Sequence, residues 1–213
     1  MADPVKRPYH SARRAETAKQ TRQQIRAAAA ELFVRQGITA TTMRQVAAAA
    51  GVAERTVYTV FPTKAALFNE VIDIATVGDE LPVPVADRPE FRAAHTETEA
   101  ATAARQFAEH GTALLERAGE LINAAIESSG ADPDMREFCV RSAAAMTANM
   151  RSLADAWARA GLLRPGLDAD GAAAILYALG SPHLHHLLRH DQGWDVTRYR
   201  DWLVDTLTST VLA

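Results

Sequence analysis

The stretch Thr42-Met43-Arg44-Gln45-Val46-Ala47-Ala48-Ala49-Ala50-Gly51-Val52-Ala53-Glu54-Arg55-Thr56-Val57-Tyr58-Thr59-Val60 decides the fold. Thr42 is placed to cap a helix over Met43–Ala50, and Gln45, three residues on, can reach back to it as a capping box. Gly51 stops that helix. Val52-Ala53 then leads into a second short helix over Glu54–Val60, which carries Val57 and Tyr58, with Phe61 just beyond. Two helices of about two turns each, joined by a glycine-containing turn of about three to four residues, make a helix-turn-helix.

Reading outward, apolar residues recur at about 3.6-residue spacing almost throughout and strand signals are nearly absent, so the fold class is all-α. A first helix is predicted over Thr17–Gln36, with Ile25, Ala28, Ala29, Leu32, Phe33 and Gln36 on one stripe and its arginines on the wet face. Pro62-Thr63-Lys64 breaks the chain and restarts it, with Ala66, Leu67, Val71 and Ile74 facing inward. Pro82, Pro84 and Pro89, following Gly78, mark a loop. Beyond it, helices are predicted over 97–118, 120–128, 133–160, 168–189 and 195–212. The domain reading is a flexible basic arm over 1–16, a helix-turn-helix domain over 17–63, a connecting helix over 64–77 and a helical body over 78–213.

The formal charge of −3 over 213 residues conceals an asymmetry. Residues 1–64 hold eleven Lys and Arg against four Asp and Glu, a net +7, which leaves −10 for the remainder. A basic end on an acidic body points to two different partners, with nucleic acid the leading candidate for the basic one. The lone Cys139 excludes an intramolecular disulfide and a cysteine-based zinc cluster, as expected of a cytoplasmic protein. The polar, basic segment 1–26 is unlike a secretory signal. The longest uncharged apolar run, Ala172–Leu188, contains Ser181, Pro182 and three histidines and makes a poor membrane span. Gly-x-Ser-x-Gly, His-Glu-x-x-His, Walker A and Gly-x-Gly-x-x-Gly motifs are all missing, so neither an enzyme nor a cofactor is expected. A non-enzymatic helical adaptor is the alternative, but it leaves the placement of Arg55, Tyr58 and Lys64 without a purpose.

One helix across the phosphates and a second in the major groove is the simplest way for a helical protein to read base edges. Glu54, Arg55 and Thr56, on the first turn of the second short helix, are predicted to enter the groove, Arg55 matching the two acceptors of guanine and Thr56 a thymine methyl. Tyr58 and Thr59 are expected at phosphates. Lys64 with the free N–H groups of the following helix, and Thr42, Arg44 and Gln45 on the other flank, supply further backbone contacts. Lys6, Arg7, Arg13 and Arg14 read either as an arm for an adjacent minor groove or as a solvated tail.

Residues 21–70 resemble the DNA-binding domain of the TetR-type one-component repressors. The resemblance runs through Thr21-Arg22, Ile25, Ala28-Ala29, Leu32-Phe33, Gly37, Thr41-Thr42-Met43, Val46-Ala47, Ala50-Gly51-Val52, Thr56-Val57-Tyr58, Phe61-Pro62-Thr63-Lys64 and Ala66-Leu67. It implies a homodimer on a palindromic operator, with a C-terminal domain that dimerises and binds a small effector. Two places depart from the pattern: Ala53 stands where a hydroxyl-bearing cap is usual, and Thr59-Val60 replace a more polar or aromatic pair.

Within the body, Phe107, His110, Leu114, Met146, Met150, Trp157 and Tyr177 are the candidate effector lining, although each taken singly reads as core ahead of pocket. The last two helices resemble a family dimer interface, with Leu176, Leu179, His183, Leu187, Trp202, Leu203, Thr206 and Thr210 as its candidates. His183, His186 and His190 share one predicted helical face. Since that helix offers no Cys, Asp or Glu at ligand spacing, they read as interface histidines ahead of a metal sensor, and no metal is expected.

Overall fold

The computed structural model describes residues 9–79, 81 and 88–213. Helices α1 (Tyr9–Gln36), α2 (Met43–Ala49), α3 (Glu54–Val60), α4 (Lys64–Val77), α5 (Pro89–Thr96), α6 (Ala100–Ser128), α7 (Pro133–Arg159), α8 (Ala169–Leu179), α9 (Pro182–His186) and α10 (Val196–Thr210) follow in order, with a π-helical turn at Leu187–Asp191. Among the described residues the β features amount to an isolated bridge between Leu163 and Leu212, so the fold is all-α. The chain divides into two compact units between Val71 and Ile72.

In the first unit, Ile25, Ala29, Leu32 and Phe33 of α1 are buried with Val46, Val57, Phe61, Leu67 and Phe68. Phe33 and Phe68 meet edge to face at 5.8 Å. Thr42 accepts from the Gln45 backbone N–H at 3.2 Å, and the Gln45 side chain accepts from the Thr42 N–H at 2.8 Å, so the capping box forms as read. Gly51 sits at φ +66, the left-handed conformation that lets the chain reverse into α3. α1 begins at Tyr9, so residues 9–16, expected in a flexible arm, are helical; Lys6 and Arg7 lie outside the described residues.

In the second unit, Trp157 of α7, Leu176 of α8 and Tyr199, Leu203 and Leu207 of α10 form the centre of one core with Ala103, Ala104 and Ala108 of α6. Three elements differ from the sequence reading. The helices expected over 97–118 and 120–128 are one, because Gly119 serves packing instead of termination: a Cβ there would stand 3.5 Å from Nδ1 of His185. The single helix expected over 168–189 is three pieces, since Pro182 cannot continue α8 and Ser181 caps a new start. Helix α5 was not foreseen. It opens with Pro89 and is tied to α7 by the Trp157 indole N–H, which donates to the Ala94 carbonyl at 3.1 Å. The loop after α4 has its ends joined by a bidentate pair between Arg88 and Asp79 at 2.8 and 2.9 Å.

Candidate nucleic-acid interface

The surface that α2 and α3 present is set by what they bury. Val46, Ala47 and Val57 face inward, leaving Arg44 on α2 and Glu54, Arg55, Tyr58 and Thr59 on α3 exposed, with Thr56 half-buried. Tyr58 is 48% exposed, which leaves its ring and hydroxyl available to a partner on this face. Arg55 stands on the first turn of α3, where the free N–H groups of the helix start add partial positive charge. Ala53 caps that start with its backbone alone, and no side chain accepts from the first turn. The arrangement offers a planar guanidinium fork, an aromatic and unpaired helix-start donors on one face, the donor set that phosphates and guanine edges accept.

Several expected contacts are already engaged inside the protein. Nζ of Lys64 donates to the Ile38 carbonyl at 2.7 Å, so this cation braces the α1–α2 loop and keeps two of its three N–H donors for an outside group. The Thr59 hydroxyl donates to the Arg55 carbonyl at 2.8 Å, the usual recourse of a helical threonine, and its one O–H is no longer free for a phosphate. Thr42 and Gln45 spend their side-chain oxygens on the capping box, leaving the Gln45 amide group as the donor that can face outward.

The expectation that the α1 arginines are merely solvated is corrected at two positions. Arg22 and Arg26 both donate to Glu70 of α4, Arg26 at 2.9 Å, and the Arg22 guanidinium also lies 4.6 Å from the centre of the Phe61 ring. Hydrogen bonding from Arg22, with a smaller contribution from Arg26, holds the Glu70 carboxyl below the usual glutamate range despite its partial burial. This clamp fixes α1 against the start of α4, and so sets the frame on which α2 and α3 are mounted. Periodicity gave no signal for it, because the partners are 44 and 48 residues apart.

In the second unit, Trp157 is fully buried and meets Phe107 edge to face at 6.4 Å, while Met150 packs on the same core. Phe107 and Met146 both lie against Gly180. His110 and Tyr177, by contrast, are exposed and Leu114 is half-buried, so the expected lining is only partly brought together. Sequence reasoning missed the buried polar atoms of α6. Oε1 of Gln106, Oγ1 of Thr112 and the Asn123 amide have no hydrogen-bond partner among the described residues, and no sequence pattern marks such atoms. An open groove of about 570 Å³ lies instead along α10, lined by Trp194, Asp195, Thr197, Arg198, Asp201, Trp202 and Asp205.

The dimer candidates divide. Leu176, Leu179 and Leu203 belong to the core of their own unit, which corrects their reading as a partner-facing surface, because the apolar stripe that carries them is consumed by α6 and α7. His183 and Leu187 are exposed, and Trp202, Thr206 and Thr210 are half-buried. The histidines also separate. His183 stands apart, His185 is buried with its Nε2 2.8 Å from Glu116, and His186 and His190 face Glu120 of α6. Arg189 and then His185 hold Glu116 down at about 2, while burial pushes His185 below its ordinary value.

Comparison with known proteins bears on both units. Residues 25–71 match the family model described as bacterial regulatory proteins, tetR family. Among solved structures, the chain is similar to NalD, the secondary repressor of the MexAB-OprM multidrug efflux pump in Pseudomonas aeruginosa, at 23% identity and a TM-score of 0.66, covering 92% of this chain and 98% of that one. It is also similar to SmeT in its triclosan complex at 19% identity and a TM-score of 0.69, covering 91% of this chain and 92% of that one. A Saccharomonospora viridis protein described as a transcriptional regulator, solved with choline, aligns at 19% identity and a TM-score of 0.68, covering 92% of this chain and 99% of that one. No curated protein matches the chain. No helix of the described residues is long and apolar enough to cross a membrane.

Proposed function

We propose that the chain, whose residues 25–71 match the family model for bacterial regulatory proteins of the tetR family, is an effector-responsive repressor of that family. In this reading it binds a palindromic operator as a homodimer and is released by a small apolar or amphipathic molecule. The observation that carries the DNA-binding part is the exposed first turn and outer face of α3, where Arg55 and Tyr58 stand clear of the core beside Arg44 of α2. Arg55 and Thr56 read base edges; Arg44, Tyr58 and the remaining donors of Lys64 hold the phosphates. The unpartnered polar atoms of α6 support an effector with a few polar groups, and triclosan, bound in the structure of SmeT, has that character.

Release follows if the effector favours a C-terminal state in which α4 moves the two heads away from the roughly 34–36 Å spacing of successive major grooves. Selection of bound sequences from a random DNA pool is the test. The reading expects an enriched inverted repeat and binding that weakens steeply with salt. Recovery of no common sequence, with equal affinity for all duplexes, would overturn it.

A further inference from the structure

His186 and His190 do not face solvent as a simple polar stripe. Nδ1 of His186 lies 2.9 Å from Oε1 of Glu120, and Nε2 of His190 lies 3.2 Å from the same oxygen. The two rings stack at 4.9 Å between centroids, 21° from parallel. One nitrogen from each ring and the carboxylate oxygen all lie within 4.8 Å of one another. From this convergence we infer that Glu120, His186 and His190 form a binding site for one divalent transition-metal ion of the zinc and cobalt class.

Distance supports the assignment. A zinc ion with bonds of about 2.0–2.2 Å to nitrogen and carboxylate oxygen spaces tetrahedral ligand atoms about 3.3 Å apart. Both nitrogens already stand close to that separation from the Glu120 oxygen, so only the distance between the two rings has to close, by no more than about 1.5 Å. The backbone is arranged for it. His190 sits in the π-helical turn Leu187–Asp191, a rare local geometry that recurs at functional sites, and the i, i+4 spacing keeps His186 and His190 on one face.

The ligands are also held from outside. Arg189 makes a bidentate pair with Glu116, at 2.6 and 2.9 Å, and Nε2 of the buried His185 joins the same carboxylate at 2.8 Å. Residues adjoining both histidine ligands are therefore pinned to α6 one turn before Glu120. On the far side of His186, Oδ1 of Asp191 stands 3.7 Å from Nε2, positioned as the outer carboxylate that commonly orients a metal-bound imidazole.

Chemistry narrows the ion. Two imidazoles and one carboxylate are borderline donors, suited to zinc, cobalt or nickel and unsuited to magnesium and calcium, which take oxygen-rich shells. The side chains of His186 and His190 are 40% and 49% exposed, which gives an ion access and leaves at least one coordination position to water. The site does not rest on the DNA-binding reading, and its test involves no DNA.

The untagged full chain, stripped with chelator, is titrated with Co²⁺ while the visible ligand-field bands are followed, and Zn²⁺ is then used to displace it. The expected result is one ion per chain, with affinity at least tenfold weaker in His190→Ala and Glu120→Gln and unchanged in His183→Ala. Circular dichroism checks that each variant is folded. Independently of any variant, ¹⁵N spectra of the wild-type histidines are expected to show His186 and His190 shifting on Zn²⁺ addition while His183 stays in place. No stoichiometric binding, equal loss in His183→Ala, or unmoved His186 and His190 resonances would overturn the assignment.

Discussion

Replacing Glu70 by Gln tests the clamp that frames the helix-turn-helix. The substitution preserves size, so it creates no cavity, but removes the charge that accepts from Arg22 and Arg26. The Arg22 side chain is 43% exposed, and solvent screening limits its share to about 0.5 kcal/mol. The Arg26 side chain is only 13% exposed, and its charge-assisted bond falls at the low end of such bonds, about 1.5 kcal/mol. Arg26 retains another interaction, and glutamine still accepts one bond, so a net loss of about 1.5 kcal/mol is expected. Amide exchange reads this directly: the slowest amides of α1 and of Leu67 and Phe68 exchange about tenfold faster at pH 7 in the variant.

The pH dependence has a definite sign. Because the native pKa of Glu70 is depressed, its contribution is fully present above the ordinary glutamate value of 4.5 and disappears as pH falls through the native pKa. The difference between wild type and Glu70→Gln should therefore shrink steadily below about pH 4.5. A difference under twofold at pH 7, or one undiminished at pH 3, would refute the reasoning.

Other substitutions address separate links. Arg55→Ala is expected to cost about 1–3 kcal/mol of operator affinity and relax base preference at one position of each half-site, read by binding to a panel of single-base variants. Arg44→Ala is expected to weaken binding to all sequences alike and reduce the slope of log affinity against log salt by about one per half-site, read by titration at several salt concentrations. Ala53→Ser supplies the side-chain cap that α3 lacks and should stabilise the first unit by about 0.5–2 kcal/mol in amide exchange. The Tyr199 hydroxyl is buried without a hydrogen-bond partner among the described residues. Tyr199→Phe is therefore expected to leave thermal stability unchanged or raise it by up to about 1 kcal/mol, whereas a loss above that would show that the hydroxyl is satisfied.

What the sequence made legible was local. Thr42, Gln45 and Gly51 announce α2 and the turn within ten residues, and the apolar stripe of α1 fixes which side of the domain is buried. What it concealed acts across space. Gly119 reads as a helix stop although it packs against His185, and Lys64, read as a phosphate ligand, also braces the Ile38 carbonyl at 2.7 Å. The histidine face has no acidic ligand at helical spacing within its own segment, because Glu120 lies 66 residues earlier on α6. Leu176, Leu179 and Leu203 illustrate the same limit from the other side, since an apolar stripe shows that a residue is covered without showing by what.

The early start of α1 changes how its basic end can meet a duplex. Arg13 and Arg14 ride on a rod about 10–12 Å across, about twice the roughly 6 Å opening of a B-form minor groove. The backbone that carries them cannot thread that groove as an extended strand would. At a rise of about 1.5 Å per residue, Arg13 and Lys19 are instead charges about 9 Å apart on a stiff axis, comparable with the spacing of a few phosphates along one strand. Removing this end by starting the chain at Ala15 should then lower affinity for every duplex by a similar factor.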